Sequence, residues 1–169
     1  MIRISRPEFM CAILCAAKND VRCCFNGVCI DSDGFVVSTD GYRMFVGKAM
    51  TDDETVIVSV KGKAPAKFDH VLIDVTHNTA TFCDVNGETV QQTPLDIVDE
   101  RYPDWRRVAR YDECKISEIG LNLQYLNDAA KAAKYFGVCK AKISMQSSNR
   151  PVHIHFPNDA YMIVMPCRI

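Results

Sequence analysis

At 169 residues, 48% hydrophobic and 24% charged, the chain has the make-up of a globular protein with one sizeable core or two small ones. No apolar run approaches the roughly 20 residues of a membrane helix, and no apolar stretch of export-signal type follows Arg3 and Arg6, so a cytoplasmic location is expected. Net charge is −1, but residues 1–100 carry −6 and residues 101–169 carry +5, an excess too mild to assign a polyanionic partner on charge alone.

In chain order, Ile2-Arg3-Ile4 reads as a short strand, and Ser5-Arg6-Pro7-Glu8 has the form of a capping box that opens a helix. Met10, Ile13, Leu14 and Ala17 recur at helical spacing, which predicts an amphipathic helix over 6–18. Residues 21–30 are rich in strand formers, interrupted at Asn26-Gly27. A turn at 31–34 leads into a partner strand over 35–46, itself broken at Asp40-Gly41. Residues 55–60 predict another strand. Residues 61–68 (KGKAPAKF) sit where a helix would repeat the first unit, but Gly62 and Pro65 reduce them to a turn. A meander follows over 71–76, 80–85 and 89–97. Residues 101–110 (RYPDWRRVAR) read as a short linker, neither strand-like nor helical by period. A second helix begins at Leu121 with Asn122 as its cap. Its apolar face is Leu123, Leu126, Ala130 and Ala133, and Gly137 stops it. Strands over 140–146, 151–156 and 161–165 close the chain. The first and last parts thus repeat one strand–helix–strand–strand plan, and 55–100 reads as the same unit without its helix.

Two distant stretches carry Met beside Arg: Ser38-Thr39-Asp40-Gly41-Tyr42-Arg43-Met44 and Tyr161 to Ile169, which ends Met-Pro-Cys-Arg-Ile. Such a pairing suits an apolar groove with a polar rim, and the expectation is that the two meet to form one. On pattern alone the Met-rich last strand reads as core rather than groove. Together with Val21-Arg22-Cys23-Cys24-Phe25-Asn26-Gly27-Val28 and Tyr102-Pro103-Asp104-Trp105-Arg106-Arg107-Val108, these stretches resemble the bacterial replicative sliding clamp, the beta subunit of DNA polymerase III. Four motifs stand in that family's order, one of them flush with the C-terminus.

The resemblance implies an α+β fold of the DNA-clamp type, shortened to about one and a half clamp domains, with two helices on antiparallel sheets of nine to eleven strands. Residues 1–108 correspond to the family's middle domain and 109–169 to the second half of its third, with no counterpart of the segments that close a dimeric ring. It implies a site for short linear motifs of polymerases and other replication proteins. From the first part that site takes Phe25, Thr39, Gly41, Tyr42, Arg43 and Met44, and from the linker Pro103, Arg107 and Val108. From the last part it takes Asn122, Tyr125, Pro151, Val152, Ile163, Met165, Pro166, Cys167 and Arg168. The motif expected to fit is extended, with a Gln and a Leu-plus-Phe pair. For the family's DNA-facing side the candidates are Lys18, Arg22, Lys131, Lys134 and Lys140, with Cys23-Cys24 in place of a frequent aromatic pair.

Other chemistry finds little support in the residues. Nine cysteines, odd in number and irregularly spaced, read as reduced and mostly buried thiols. Cys11 and Cys15 on a helix, and His153 and His155 on a strand, lack the spacing of a structural zinc site. His70 and His77 read as loop residues. Asp31, Asp33 and Asp40 read as turn chemistry, with no nucleophile–base pair nearby. Tyr102 and Trp105 read as packing or as site, evenly. The expectation is a non-catalytic protein of DNA replication with no cofactor, no metal and no membrane partner. Double-stranded DNA and self-association stay open, with a self-assembling ring as the alternative, a metal-dependent enzyme as a remote one, and a phage or mobile-element origin as a guess.

Overall fold

The computed structural model describes residues 1–110 and 119–168. The elements in order are β1 (Ile2–Ser5), α1 (Arg6–Cys15), a 3-10 turn (Cys23–Asn26), β2 (Val28–Asp31), β3 (Phe35–Thr39), β4 (Arg43–Lys48), β5 (Val56–Val60), β6 (His70–Asp74), β7 (Thr79–Cys83), β8 (Thr89–Ile97), α2 (Trp105–Ala109), α3 (Leu123–Tyr135), β9 (Lys142–Ser144), β10 (Val152–His155) and β11 (Tyr161–Val164). All strand pairings are antiparallel, in one eleven-stranded sheet of order β1-β6-β7-β8-β5-β2-β3-β4-β11-β10-β9. The strands from the last part of the chain therefore extend the sheet begun by the first, joined at β4 and β11.

Period-two alternation gives that sheet two apolar faces. Val28, Ile30, Val36, Phe45, Val58, Met162 and Val164 belong to one cluster, with Phe9, Ala12 and Cys15 of α1 and Ala129, Ala132 and Ala133 of α3. Cys29, Val37, Met44, Val46, Ile57 and Ile163 belong to a second cluster, with Phe25 and Trp105. The helices α1 and α3 pack on each other, and α1 lies on β3 and β4. The linker and the 3-10 turn cover part of the opposite face.

Several local expectations give way to packing. The face of α1 that enters the core is Glu8, Phe9, Cys11, Ala12 and Cys15, whereas Ile13 is 38% exposed. The helix is apolar nearly all round, so periodicity could not choose a face. Its small residues meet the alanines of α3, with Cys11 Sγ 3.8 Å from Ala132 O. The helix ends at Cys15, short of 18. No capping box forms: Ser5 makes no side-chain cap, and Glu8 is buried, which raises its carboxyl above the usual range. Residues 23–26, expected as strand, make the 3-10 turn, and 105–109, expected as linker, form α2. The two expected helices are thus joined by a short third. His70, expected in a loop, opens β6 and is buried.

The helix α3 keeps its expected cap and stop. Asn122 Oδ1 accepts from Gln124 N at 2.9 Å, and Gly137 takes φ +69°, a conformation that favours glycine. Its buried face is Asp128, Ala129, Ala132 and Ala133, leaving Leu123 at 77% exposure. Asn122→Ala should lower stability by about 1 kcal/mol, measured as a shift in the chemical-denaturation midpoint.

Candidate binding cleft

The cleft forms where the chain's distant stretches meet. The turn into β4 is built by its own side chains. Asp40 Oδ1 accepts from Tyr42 N and Arg43 N, both at 3.0 Å. Thr39 Oγ1 accepts from Gly41 N at 3.0 Å and donates to Arg43 O at 2.7 Å. Gly41 sits at φ +89°, and a Cβ there would stand 3.2 Å from the Arg22 guanidinium, so both strain and space favour glycine. Beyond the turn, Met44 lies opposite Ile163 across the β4–β11 ladder, and Met165 N donates to Tyr42 O at 3.0 Å. Met44, Ile163 and Met165 thereby line one cleft of about 280 Å³. Phe25 lines it too, under the Arg22 guanidinium, which is 4.1 Å from the ring centroid. The linker, with Tyr102, Pro103, Asp104, Trp105 and Val108, closes the remaining side. This volume admits one or two apolar side chains, less than the usual small-molecule pocket.

The cationic groups near the cleft are largely engaged. Arg22 is ion-paired with Asp20 at 2.8 Å. Arg43 Nε donates to Asp40 Oδ2 at 3.0 Å, its Nη1 pairs with Asp128 of α3, and it lies 5.2 Å from the Tyr125 ring centroid. Burial raises the Asp128 carboxyl, but Lys131 at 2.6 Å and Arg43 more than offset it and leave it below the usual range. This network ties the β3–β4 turn to α3.

Trp105 and Arg106 converge on Asp31. The indole Nε1 donates to Asp31 Oδ2 at 3.2 Å, and Arg106 donates to both carboxylate oxygens, at 2.8 and 3.1 Å. Asp31 is thus more than a turn residue. Arg106 holds its carboxyl below the usual range, a shift that burial only partly opposes. A group depressed on folding stabilises the protein above its unfolded pKa of about 3.9 and loses that contribution as pH falls through the folded value. The emission of Trp105, the one tryptophan, should therefore hold steady down to about pH 4 and change below it. An acid titration followed by fluorescence checks this.

Of the residues the resemblance implied, Phe25, Thr39, Gly41, Tyr42, Arg43, Met44, Pro103, Val108, Ile163 and Met165 line the cleft. The others lie elsewhere. Asn122 caps α3, and Tyr125 stands beneath Arg43. Pro151 is buried, and Val152 is enclosed in the helix-side core, on the other face of the sheet. Arg107 and Arg168 are exposed, Pro166 is half-buried, and Cys167 N bonds Gly120 O at 2.9 Å. Tyr102, Asp104, Trp105 and Arg22 line the cleft without having been assigned to it, although the linker's aromatic pair was the available signal. Of the DNA-side candidates, Arg22 is at the cleft, Lys131 is paired with Asp128, and Lys18, Lys134 and Lys140 are exposed.

Among the described residues no group of three or more His, Cys, Asp or Glu side chains is placed to hold a metal. Burial pushes the Cys15 thiol up to about 12 and raises Cys11 as well, so both are protonated at neutral pH. His153 stacks on His155 and on Tyr161, and burial lowers the pKa of both imidazoles. No described helix is long and apolar enough to cross a membrane.

No family model matches the chain, and no curated protein matches it in sequence. Solved structures do match in shape. A chain from Eubacterium rectale assigned as a DNA polymerase III beta subunit superposes with a TM-score of 0.70 at 15% identity, over 99% of this chain and 65% of that one. The DNA polymerase sliding clamp of Pseudomonas aeruginosa gives 0.66 at 17%, over 99% and 66%. That of Bacillus subtilis gives 0.68 at 14%, over 99% and 64%. The fold is that of the bacterial replicative sliding clamp. In this clamp fold the chain spans about 65% of the length of the structures it matches, in keeping with the shortened α+β architecture expected from its motifs.

Proposed function

We propose that the chain is a non-catalytic, clamp-like protein of DNA replication that binds short linear motifs of polymerases or other replication proteins. The observation that carries this reading is the meeting of Met44, Ile163 and Met165 in one small apolar cleft at the β4–β11 seam. The cleft suits the side chains of an extended peptide: two apolar residues within it and a polar one at the rim. With Arg22 and Arg43 already paired to carboxylates, apolar burial rather than charge supplies most of the affinity. One groove of this size supports a Kd of order micromolar. In this reading residues 1–108 act as a clamp middle domain and 109–169 as half of a third, with the site between them.

Titration of a fluorescent Gln-Leu-x-Leu-Phe peptide, followed by anisotropy, tests the proposal. Saturable binding near micromolar Kd is expected, and no binding at millimolar protein would refute it. The alternative, a ring that encircles double-stranded DNA, requires self-assembly. Light scattering and retention on a closed against a linearised DNA circle separate the two. A monomer or dimer that leaves both DNAs equally is expected, and an assembly held only by the closed circle would favour the ring.

A further inference from the structure

The cleft wall formed by the linker packs Tyr102 and Trp105 against the sheet. A backbone hydrogen bond from Arg107 N to Asp104 O at 3.2 Å is internal to it. This apolar packing and a bond from Gln146 Nε2 to Arg110 O at 3.0 Å help hold it to the rest of the fold, and its polar contacts with the strands centre on one residue. Asp31, at the end of β2 and 8% exposed, accepts from the Trp105 indole through Oδ2 and from Arg106 through both oxygens. The hairpin adds a second grip: Arg106 Nη2 also reaches Asp33 Oδ2 at 2.6 Å. Asp31 is itself set in place, because its Oδ1 accepts from Asp33 N at 2.8 Å. Above this fork the Trp105 ring leans on Phe35 at 5.4 Å, with the Arg106 guanidinium 4.3 Å from the indole centroid.

Behind the wall lies a second hollow of about 550 Å³, lined by Asp31, Ile57 and Val98 among others, and it shares Tyr102, Pro103, Asp104 and Trp105 with the cleft. The wall thus separates two spaces, with Trp105 itself packed in the cluster with Cys29, Val37 and Ile57. We infer that Asp31 is the positioning residue of the cleft: by gripping Trp105 and Arg106 together it sets how far the wall stands from Met44 and Met165. The width available to a ligand's aromatic side chain follows from that grip. The inference rests on the peptide-binding reading, and it adds a determinant of size selectivity that touches no ligand. A bidentate guanidinium–carboxylate pair suits the task because its two parallel bonds fix orientation as well as distance.

Three measurements on the full chain test it. Arg106 is 43% exposed in its side chain, so Arg106→Gln should fold; Asp31→Asn is the companion variant. Acrylamide quenching of Trp105 reads the wall directly. Anisotropy then compares the Gln-Leu-x-Leu-Phe peptide with one carrying naphthylalanine in place of Phe. In Arg106→Gln, quenching should rise and affinity for the Phe peptide should fall about tenfold. Affinity for the bulkier peptide should fall less, so that discrimination by size narrows. Asp74→Asn, at the distant end of β6, should change none of these. Unchanged quenching in Arg106→Gln overturns the role of Asp31, as does an equal loss of both peptides. A wild-type protein that binds neither peptide overturns the function proposed above and the role with it, whatever the quenching shows.

Discussion

Met165→Asp should weaken peptide binding roughly a hundredfold or more, a loss of about 3 kcal/mol, while the protein keeps its fold. Met165 lies just past β11 and is 36% exposed, so a carboxylate there remains in water in the free protein. A bound apolar side chain would strip that water and leave the charge without a partner, which costs several kcal/mol unless the peptide stays away. Met44→Asp is the less clean experiment, since Met44 is 7% exposed and packs in the cluster with Val46 and Ile163. Loss of binding in that variant would be entangled with loss of stability. Anisotropy titration of Met165→Asp beside a far-ultraviolet melting curve separates the two effects.

Asp128→Ala should cost about 2–3 kcal/mol of stability, through loss of one partner of a mostly buried ion pair. Arg43 and Asp128 are 13% and 8% exposed in their side chains, and Arg43 would keep Asp40 as its remaining anion. For a chain of this length the melting temperature should fall by roughly 5–10 °C. The double variant Arg43→Met with Asp128→Leu should recover part of that loss, because it removes the stranded charge as well. A single variant as stable as the wild type would mean that the link between the β3–β4 turn and α3 contributes little.

The sheet was the most legible part of the sequence. Strands such as Val36-Val37 and Met44-Phe45-Val46 are short apolar runs bounded by Asp-Gly turns, and the ladder forms where those turns allow. The helix faces were less legible. In α1 every residue from Phe9 on is apolar; Phe9 packs on Phe68 and Phe82, while the choice of Cys11 and Ala12 over Met10 and Ile13 is made by the fit of small side chains against α3. That is a tertiary contact about 120 residues away along the chain, beyond the reach of any local window.

The cleft divided in the same way. Its floor could be anticipated from Met44, Ile163 and Met165, because the Asp40-Gly41 turn and Pro166 fix where those strands begin and end. The wall could not. Five residues of α2 are too few for a helical period to register, and they are held by a carboxylate on β2 more than 70 positions earlier. Asp31 resembled an ordinary turn aspartate until its partners were placed. Val152 was assigned to the site by position but faces the helix side, where strand alternation puts it beside Ile154 and across from Val164.

The most direct measurement is to find where the peptide lies. A Gln-Leu-x-Leu-Phe peptide with benzoylphenylalanine in place of Phe, irradiated with the wild-type protein and mapped by mass spectrometry, should mark Met165 or its neighbours in the cleft. Met50, 70% exposed and outside the cleft, serves as the built-in decoy. Adducts concentrated at Met165 and lost in Met165→Asp would place the ligand between the chain's two distant stretches; adducts at Met50, or spread evenly over exposed sites, would contradict the account.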